Sequence, residues 1–433
     1  MLLRKQRLFR IALILLFVSP IYISKAATAQ VSALTESPAV ALALAREHDP
    51  VIVKGLFPGA AAEEIYVYRF LAGTWELIPH QVDLVDDEGA YLPDVTGTLD
   101  DNDEIVFMAS DLGELPAEPI TNSVNIQGPW YQVEVTDPLA PQDKGYAYVV
   151  RSSSPLGDAG VDHIDFDMAT LRATSDIYSV GWAEDHSGMS FISLAGSGNI
   201  LDRTKLRINY RIGSGAPQEI TEEGNAIIPV SDVELIKDGP VRIIVKRASV
   251  LTFGYHSLLR TVLEVDLSNI PLLIIENVRS STDLANTVSG TYYNQNIEAG
   301  VTIDGAPDSV AETPFNQAWR QISLSSGAMI QVTDLSSVGG FPRHYYKDDA
   351  TVDVEDTGDG QSYGDSGFLV ISPSGKAFTL DSNVYFLSGS QDNRGSEFFN
   401  LYQNPLVTAI TEQGQPPPPP DKENIFLPFA RKD

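Results

Sequence analysis

The chain of 433 residues contains no cysteine. That excludes a disulfide framework and thiolate-bound zinc. Basic residues are scarce, with 29 Lys and Arg against 58 Asp and Glu, a net charge of −29. Such a chain repels nucleic acid and anionic membrane surfaces, and attracts divalent cations. No apolar run reaches the ~20 residues of a membrane span. The apolar stretch IALILLFVSPIYI (11–23) has 13. Helical periodicity is almost missing too. Only SPAVALALAREH (37–48) reads as a helix, with Ser37 as its cap and Pro38 in its first turn.

What is present begins with an address. MLLRKQRLFR supplies a positive n-region, the 13-residue stretch an apolar core, and Ala27-Thr28-Ala29 a small-x-small cleavage pattern. Residues 1–29 are expected to be an export signal; the alternative is a retained anchor. Cleavage leaves 24 basic against 58 acidic residues, a net charge of −34. An extracellular or cell-surface location follows, with no transmembrane segment in the mature chain.

Beyond a short helical or linker segment (30–50), nearly everything reads as strand. PVIVKGLF, EIYVYRFL, WYQVEVTD and GYAYVVRS are rich in Val, Ile, Tyr and Phe and are bounded by turn residues. Their spacing predicts an all-β protein: a small N-terminal β-sandwich (51–152), then a large antiparallel β-sandwich (153–414). In the second part, Asp238-Gly239 between two long apolar runs predicts a hairpin. LLRTVLEVDLSNIPLLIIENVRSS repeats that pattern around Ser268–Pro271.

Two acidic turns stand out. DDND (100–103) precedes EIVFM, whose alternation places apolar residues on both faces and predicts a strand buried on both sides. Asp100, Asp101 and Asp103, and in a second acidic run Asp353, Asp356 and Asp359, are the candidate Ca²⁺ ligands, since Ca²⁺ takes 6–8 oxygens. Neither run has the spacing of an EF-hand loop. The competing reading is a solvated turn whose side chains bind local backbone N–H groups.

The segment IPHQVD…GTLDDNDEIVFMASDLG resembles a module of secreted bacterial proteins of unknown function. Its pattern is Pro-x-Gln-Val-Asp, an acidic turn, then Asp-Glu-hydrophobic-Val-Phe. In some of these proteins the module precedes a large β-sandwich resembling that of galactose mutarotases and certain polysaccharide lyases. VELIKDGPVRIIVKR is similar to the hairpin of that (super)sandwich, where Gly-Pro-Val-Arg opens a long strand.

If the large sandwich is directed at carbohydrate, three clusters are its candidates: WAEDHSG (182–188), TYYNQNIEAG (291–300) and FPRHYYKDD (341–349). The lyase resemblance implies a cation for a substrate carboxylate, Arg343 or Lys347, and a base, His344 or Tyr345. The mutarotase resemblance implies an acid–base pair, His186 or His256 with Glu276 or Glu298. Trp182, Trp319, Tyr292 and Tyr293 are candidates for sugar stacking, with Asn294 and Gln295 beside them. The competing reading makes these aromatics ordinary strand and core residues.

The chain closes with QGQPPPPPDKENIFLPFARKD. Five prolines make a stiff spacer of about 16 Å at ~3.1 Å per residue. The segment beyond resembles a C-terminal ending of some exported bacterial proteins, and implies an envelope or surface-sorting partner. The expectation is an exported surface protein that binds glycan or another surface without catalysis. The alternatives are a lyase- or epimerase-like enzyme acting on carbohydrate, and a calcium-dependent adhesion module.

Overall fold

The computed structural model describes residues 44–414, apart from 94–96, 156, 161, 185, 187, 222–230, 311–314, 316 and 353–357. The export segment, the C-terminal tail, Asp185, Asp353 and Asp356 lie outside the described residues. The protein is all-β, in several antiparallel sheets.

The small sandwich packs a three-stranded sheet (Pro50–Lys54, Glu104–Met108 and Gln81–Asp83) on a five-stranded one. Val51, Val53, Ile105 and Phe107 from the first sheet meet Val67, Val133, Val135 and Val149 from the second. The strand Glu104–Met108 is buried at every position, as its alternation predicts. Ile105 and Phe107 fill the small sandwich, while Val106 and Met108 pack against the large one.

The large sandwich pairs a nine-stranded sheet with a five-stranded covering sheet; a four-stranded sheet packs into the same core. The covering sheet runs Gln218–Thr221, Leu201–Ile212, Leu273–Leu284, Ser362–Ile371 and Phe341–Asp349 in spatial order. The hairpin at Asp238-Gly239 forms, with Asp238 opposite Ile243.

Three expectations change. The strands flanking Ser268–Pro271 are not a hairpin. Leu258–Asp266 pairs within the nine-stranded sheet, and Leu273–Leu284 within the covering sheet. Leu263 and Val265 from one then face Ile275 and Val278 from the other across the core, which buries both apolar runs without pairing them. Second, the last described strand, Val407–Gln413, returns to the small sandwich and pairs with Trp130–Asp137, so the large sandwich does not run on to residue 414. Third, residues 44–48 of the expected helix are not helical. Arg46 is drawn inward instead, onto Asp49, Asp137 and the carbonyls of Leu401 and Asn404. Among the described residues the α-helix is Gly395–Gln403, on the outer face of the nine-stranded sheet. Its first residue must be glycine-sized, because a Cβ at Gly395 would stand 1.9 Å from the Trp319 ring.

The two motifs that carry the resemblance meet in space. Gln81 Oε1 accepts from the backbone N–H of Val241 (3.1 Å) and of Arg242 (2.8 Å). The Arg242 side chain, 1% exposed, reaches Asp83 (2.7 Å), Glu104 (2.5 Å) and the Tyr255 hydroxyl (3.1 Å). Lys54 completes the group at 2.8 Å from Glu104. A Cβ on Gly239 would sit 2.4 Å from Gln81 Oε1, so glycine is what lets the hairpin approach. Burial would raise both carboxyls. It prevails at Asp83, which has Arg242 as its main cation; at Glu104, Arg242 and Lys54 together outweigh it and hold the group low. The Gln-Val-Asp and Gly-Pro-Val-Arg motifs are thus two halves of one buried clasp between the sandwiches.

Candidate functional site

Facing layers of a β-sandwich are normally apolar. At the centre of the large sandwich they are not. Thr252, Thr261, Ser382 and Thr333 stand opposite one another across four neighbouring strands, and Arg320 stands opposite Gln331. All six face the covering sheet, which contributes Ser280 and Thr282. With Ile192, Leu259, Phe368 and Phe386 around them, they line a cavity of about 190 Å³. The strand Gly327–Asp334 shows the inversion most clearly. Its Gln331 and Thr333 point into the sandwich, while Ile330 and Val332 pack on the far side with the helix and the small sandwich.

Arg320 holds the centre. Its Nε donates to Gln331 Oε1 (2.7 Å), Nη1 to Ser366 Oγ (2.6 Å) and Nη2 to Thr282 Oγ1 (2.9 Å), so it bridges the two sheets. Burial pulls the guanidinium down to about 10. It remains charged at neutral pH.

On the opposite side of the covering sheet lies a second buried cluster. Lys205 Nζ stands 2.6 Å from Asp283 and 3.4 Å from Asp365. The Tyr345 hydroxyl reaches Asp365 at 3.4 Å, and Arg279 donates to that hydroxyl at 3.1 Å with its guanidinium 4.6 Å from the ring centre. Burial first, and the neighbouring Asp365 charge second, raise Asp283 to about 8 against the pull of Lys205.

The cluster at 341–349 is split by strand alternation. Arg343, Tyr345 and Lys347 alternate with His344 and Tyr346 along the strand and so point to opposite faces. His344 is 2% exposed, packed against Phe315 and Phe368 inside the sandwich. Burial and then the Arg320 charge drive its pKa down to about 3. It is a neutral imidazole at any ordinary pH and a feeble base. Tyr345, the alternative base, is pushed well above its ordinary value by burial and by Asp365. It holds its proton.

The other candidates disperse. Trp182 (5% exposed) packs with Phe166 and lines one part of the cavity. Trp319 (3%) points away from it, under the helix. Tyr292 is fully buried and stacked on Tyr346 at 4.4 Å, and its hydroxyl accepts from Asn294. Asn294 in turn accepts from the Asn296 N–H and shapes the hairpin turn. Tyr293 is partly buried on the helix side, and Gln295 is half-buried in the turn. Buried inside the sandwich or under the helix, Trp319 and Tyr292 cannot stack on a sugar at the surface. His186 is buried in the loop between Tyr178–Trp182 and Met189–Leu194. His256 faces His163 (ring centres 5.6 Å apart), which binds Asp111 at 2.8 Å. Glu276 pairs instead with Arg211, and Glu298 is exposed on a hairpin; among the described ion pairs neither glutamate meets His186 or His256.

The first acidic turn satisfies itself. Asp103 accepts from the N–H groups of Val85 (2.8 Å) and Asp100 (2.7 Å), and Asp100 from that of Asn102 (2.8 Å). Asp101 is exposed. Asp359 accepts from the Gln361 N–H, and its own N–H donates to Asp202. Among the described residues, no group of three or more His, Asp or Glu side chains is arranged to hold a metal ion.

No protein-family model and no curated protein sequence matches the chain. Two similar solved structures are an alpha-mannosidase from Enterococcus faecalis V583 and a protein in glycosyl hydrolase family 38 from Enterococcus faecalis. The first aligns with a TM-score of 0.46 and 10% identity over 84% of this chain and 44% of its own. The second aligns with a TM-score of 0.44 and 10% identity over 80% and 42%. The chain therefore spans less than half the length of either.

Proposed function

We propose that the protein is an exported, non-catalytic binding protein that seats a small sugar between the two sheets of its large sandwich. The observation that carries this reading is a cavity where a sandwich core should be, mostly apolar in its lining but with hydroxyls and an amide grouped at its centre. Thr252, Thr261, Thr282, Gln331, Thr333 and Ser382 offer paired donors and acceptors for hydroxyls. The aliphatic and aromatic residues between them suit the C–H faces of a sugar ring. A volume of about 190 Å³ is below the ~300–1,000 Å³ of sites for drug-sized ligands, which favours a single ring over a chain. The states of His344 and Tyr345 support binding over catalysis, since neither is tuned to exchange a proton near neutral pH.

Saturation-transfer NMR with a panel of monosaccharides tests the reading. At least one should receive magnetisation from the wild-type chain, and none from Thr261→Trp, which fills the cavity. Transfer that persists in the filled variant would place the ligand elsewhere.

Export and surface retention belong to the same proposal and rest on the two ends of the sequence. Replacing Ile425, Phe426, Leu427 and Phe429 with Ser, prolines kept, should move the protein between the cell-associated and free fractions in its host. Unchanged fractionation would remove the tail as an address.

A further inference from the structure

We propose that the ligand of the inter-sheet cavity carries a carboxylate and that Arg320 recognises it, so that the site takes a sugar acid in preference to the neutral sugar. This rests on the reading of the cavity as a sugar site and adds the one charge that the ligand must bear.

Arg320 is a buried cation without an answering anion. Arg320 is 5% exposed, and its three hydrogen-bond partners, Gln331, Ser366 and Thr282, are all neutral. A guanidinium has five N–H donors, so two are left. Taking a charge out of water is costly unless an opposite charge meets it. Three other buried cations observe that rule: Arg46 has Asp49 and Asp137, Lys205 has Asp283 and Asp365, and Arg242 has Asp83 and Glu104. No carboxylate among the described residues pairs with Arg320. Asp365, on the adjoining strand position to Ser366, acts on it through space but faces Lys205 on the other side of the sheet. Lys205 and Arg247 also belong to the cavity lining, but Arg320 is the one bonded to the hydroxyl and amide side chains Thr282 and Gln331, where an anion entering with a sugar would meet it.

Two polar side chains stand near Arg320 on the neighbouring strand, outside the cavity lining, with Tyr346 opposite the Ser366 that binds it. His344, 2% exposed and close enough for Arg320 to depress it, has no hydrogen-bond partner on either ring nitrogen. Held neutral, it offers one donor and one acceptor. The hydroxyl of Tyr346 also lacks a partner.

The planar fork of arginine matches carboxylate and phosphate alike. A cavity of about 190 Å³ favours the smaller bulk of the carboxylate.

Isothermal titration of the full chain with D-glucose, D-glucuronate and D-glucose 6-phosphate tests this. Wild type should prefer glucuronate to glucose by at least about tenfold, the scale of a hydrogen bond to a charged group. Glucose 6-phosphate should bind more weakly than glucuronate. In Arg320→Gln the preference for glucuronate over glucose should vanish; Arg320→Lys should keep part of it. Equal affinity for glucose and glucuronate in wild type would overturn the inference and leave the sugar reading standing. Tighter binding of the phosphate would overturn the carboxylate assignment. Binding of none of the three would overturn both. The wild-type comparison decides even if a variant fails to fold, which circular dichroism would reveal.

Discussion

Replacing Arg242 with methionine will cost the protein about 3–5 kcal/mol of stability, the cost of removing one partner from a buried ion-pair group. The substitution leaves Asp83 and Glu104 facing each other with their shared cation gone, and only Lys54 to answer Glu104. Neutralising the survivors should restore much of the loss. Urea denaturation of Arg242→Met, and of the triple variant with Asp83→Asn and Glu104→Gln, measures both. A single variant as stable as wild type would show that the clasp does not hold the sandwiches together. A triple variant no better than the single one would show that packing, not charge, carries its contribution.

Lys205→Met should be as damaging, and its damage should depend on pH. Asp283 is raised to about 8 in the folded protein, above its ordinary 3.8. The folded state therefore holds a proton that the unfolded chain releases. A group shifted in that direction favours folding below the unfolded value, and the benefit is lost as pH rises towards the folded one. Without Lys205 two buried carboxyls face each other, and sharing a proton is their way to coexist. The variant should lose about 3–5 kcal/mol at pH 8 and clearly less at pH 5. Denaturation midpoints at the two pH values check this; a loss equal at both would mean that Asp283 is not the group that titrates.

The strands were readable because β-branched and aromatic residues alternate between turn residues, and Glu104–Met108 announced its double burial by having no polar face. Alternation also held the information that separates His344 from Arg343 and Tyr345. Treated as one cluster the three invite a catalytic reading; assigned to a strand, they go to opposite faces. The Ser268–Pro271 connection departs from the expected hairpin because two apolar strands joined by a short turn look the same whether they pair side by side or face each other across a core. The clasp was visible only as two unrelated motifs, since Gln81 and Arg242 are 161 positions apart and no local rule links them. Arg320 left a fainter trace. The segment QAWRQIS places polar and apolar residues on both faces, which suits a strand covered on both sides but says nothing of what covers it. Only the pairing of the two sheets shows that its inward side meets hydroxyls and no carboxylate.

The central claim is that the space between the two sheets is a binding site and not a loosely filled core. A crystal structure of the protein grown with D-glucuronate tests it most directly. The account predicts one sugar ring between the sheets, its carboxylate on the two free N–H groups of Arg320 and its hydroxyls on Gln331, Thr333 or Ser382. A sugar bound only at the outer surface, with the cavity unchanged, would contradict it.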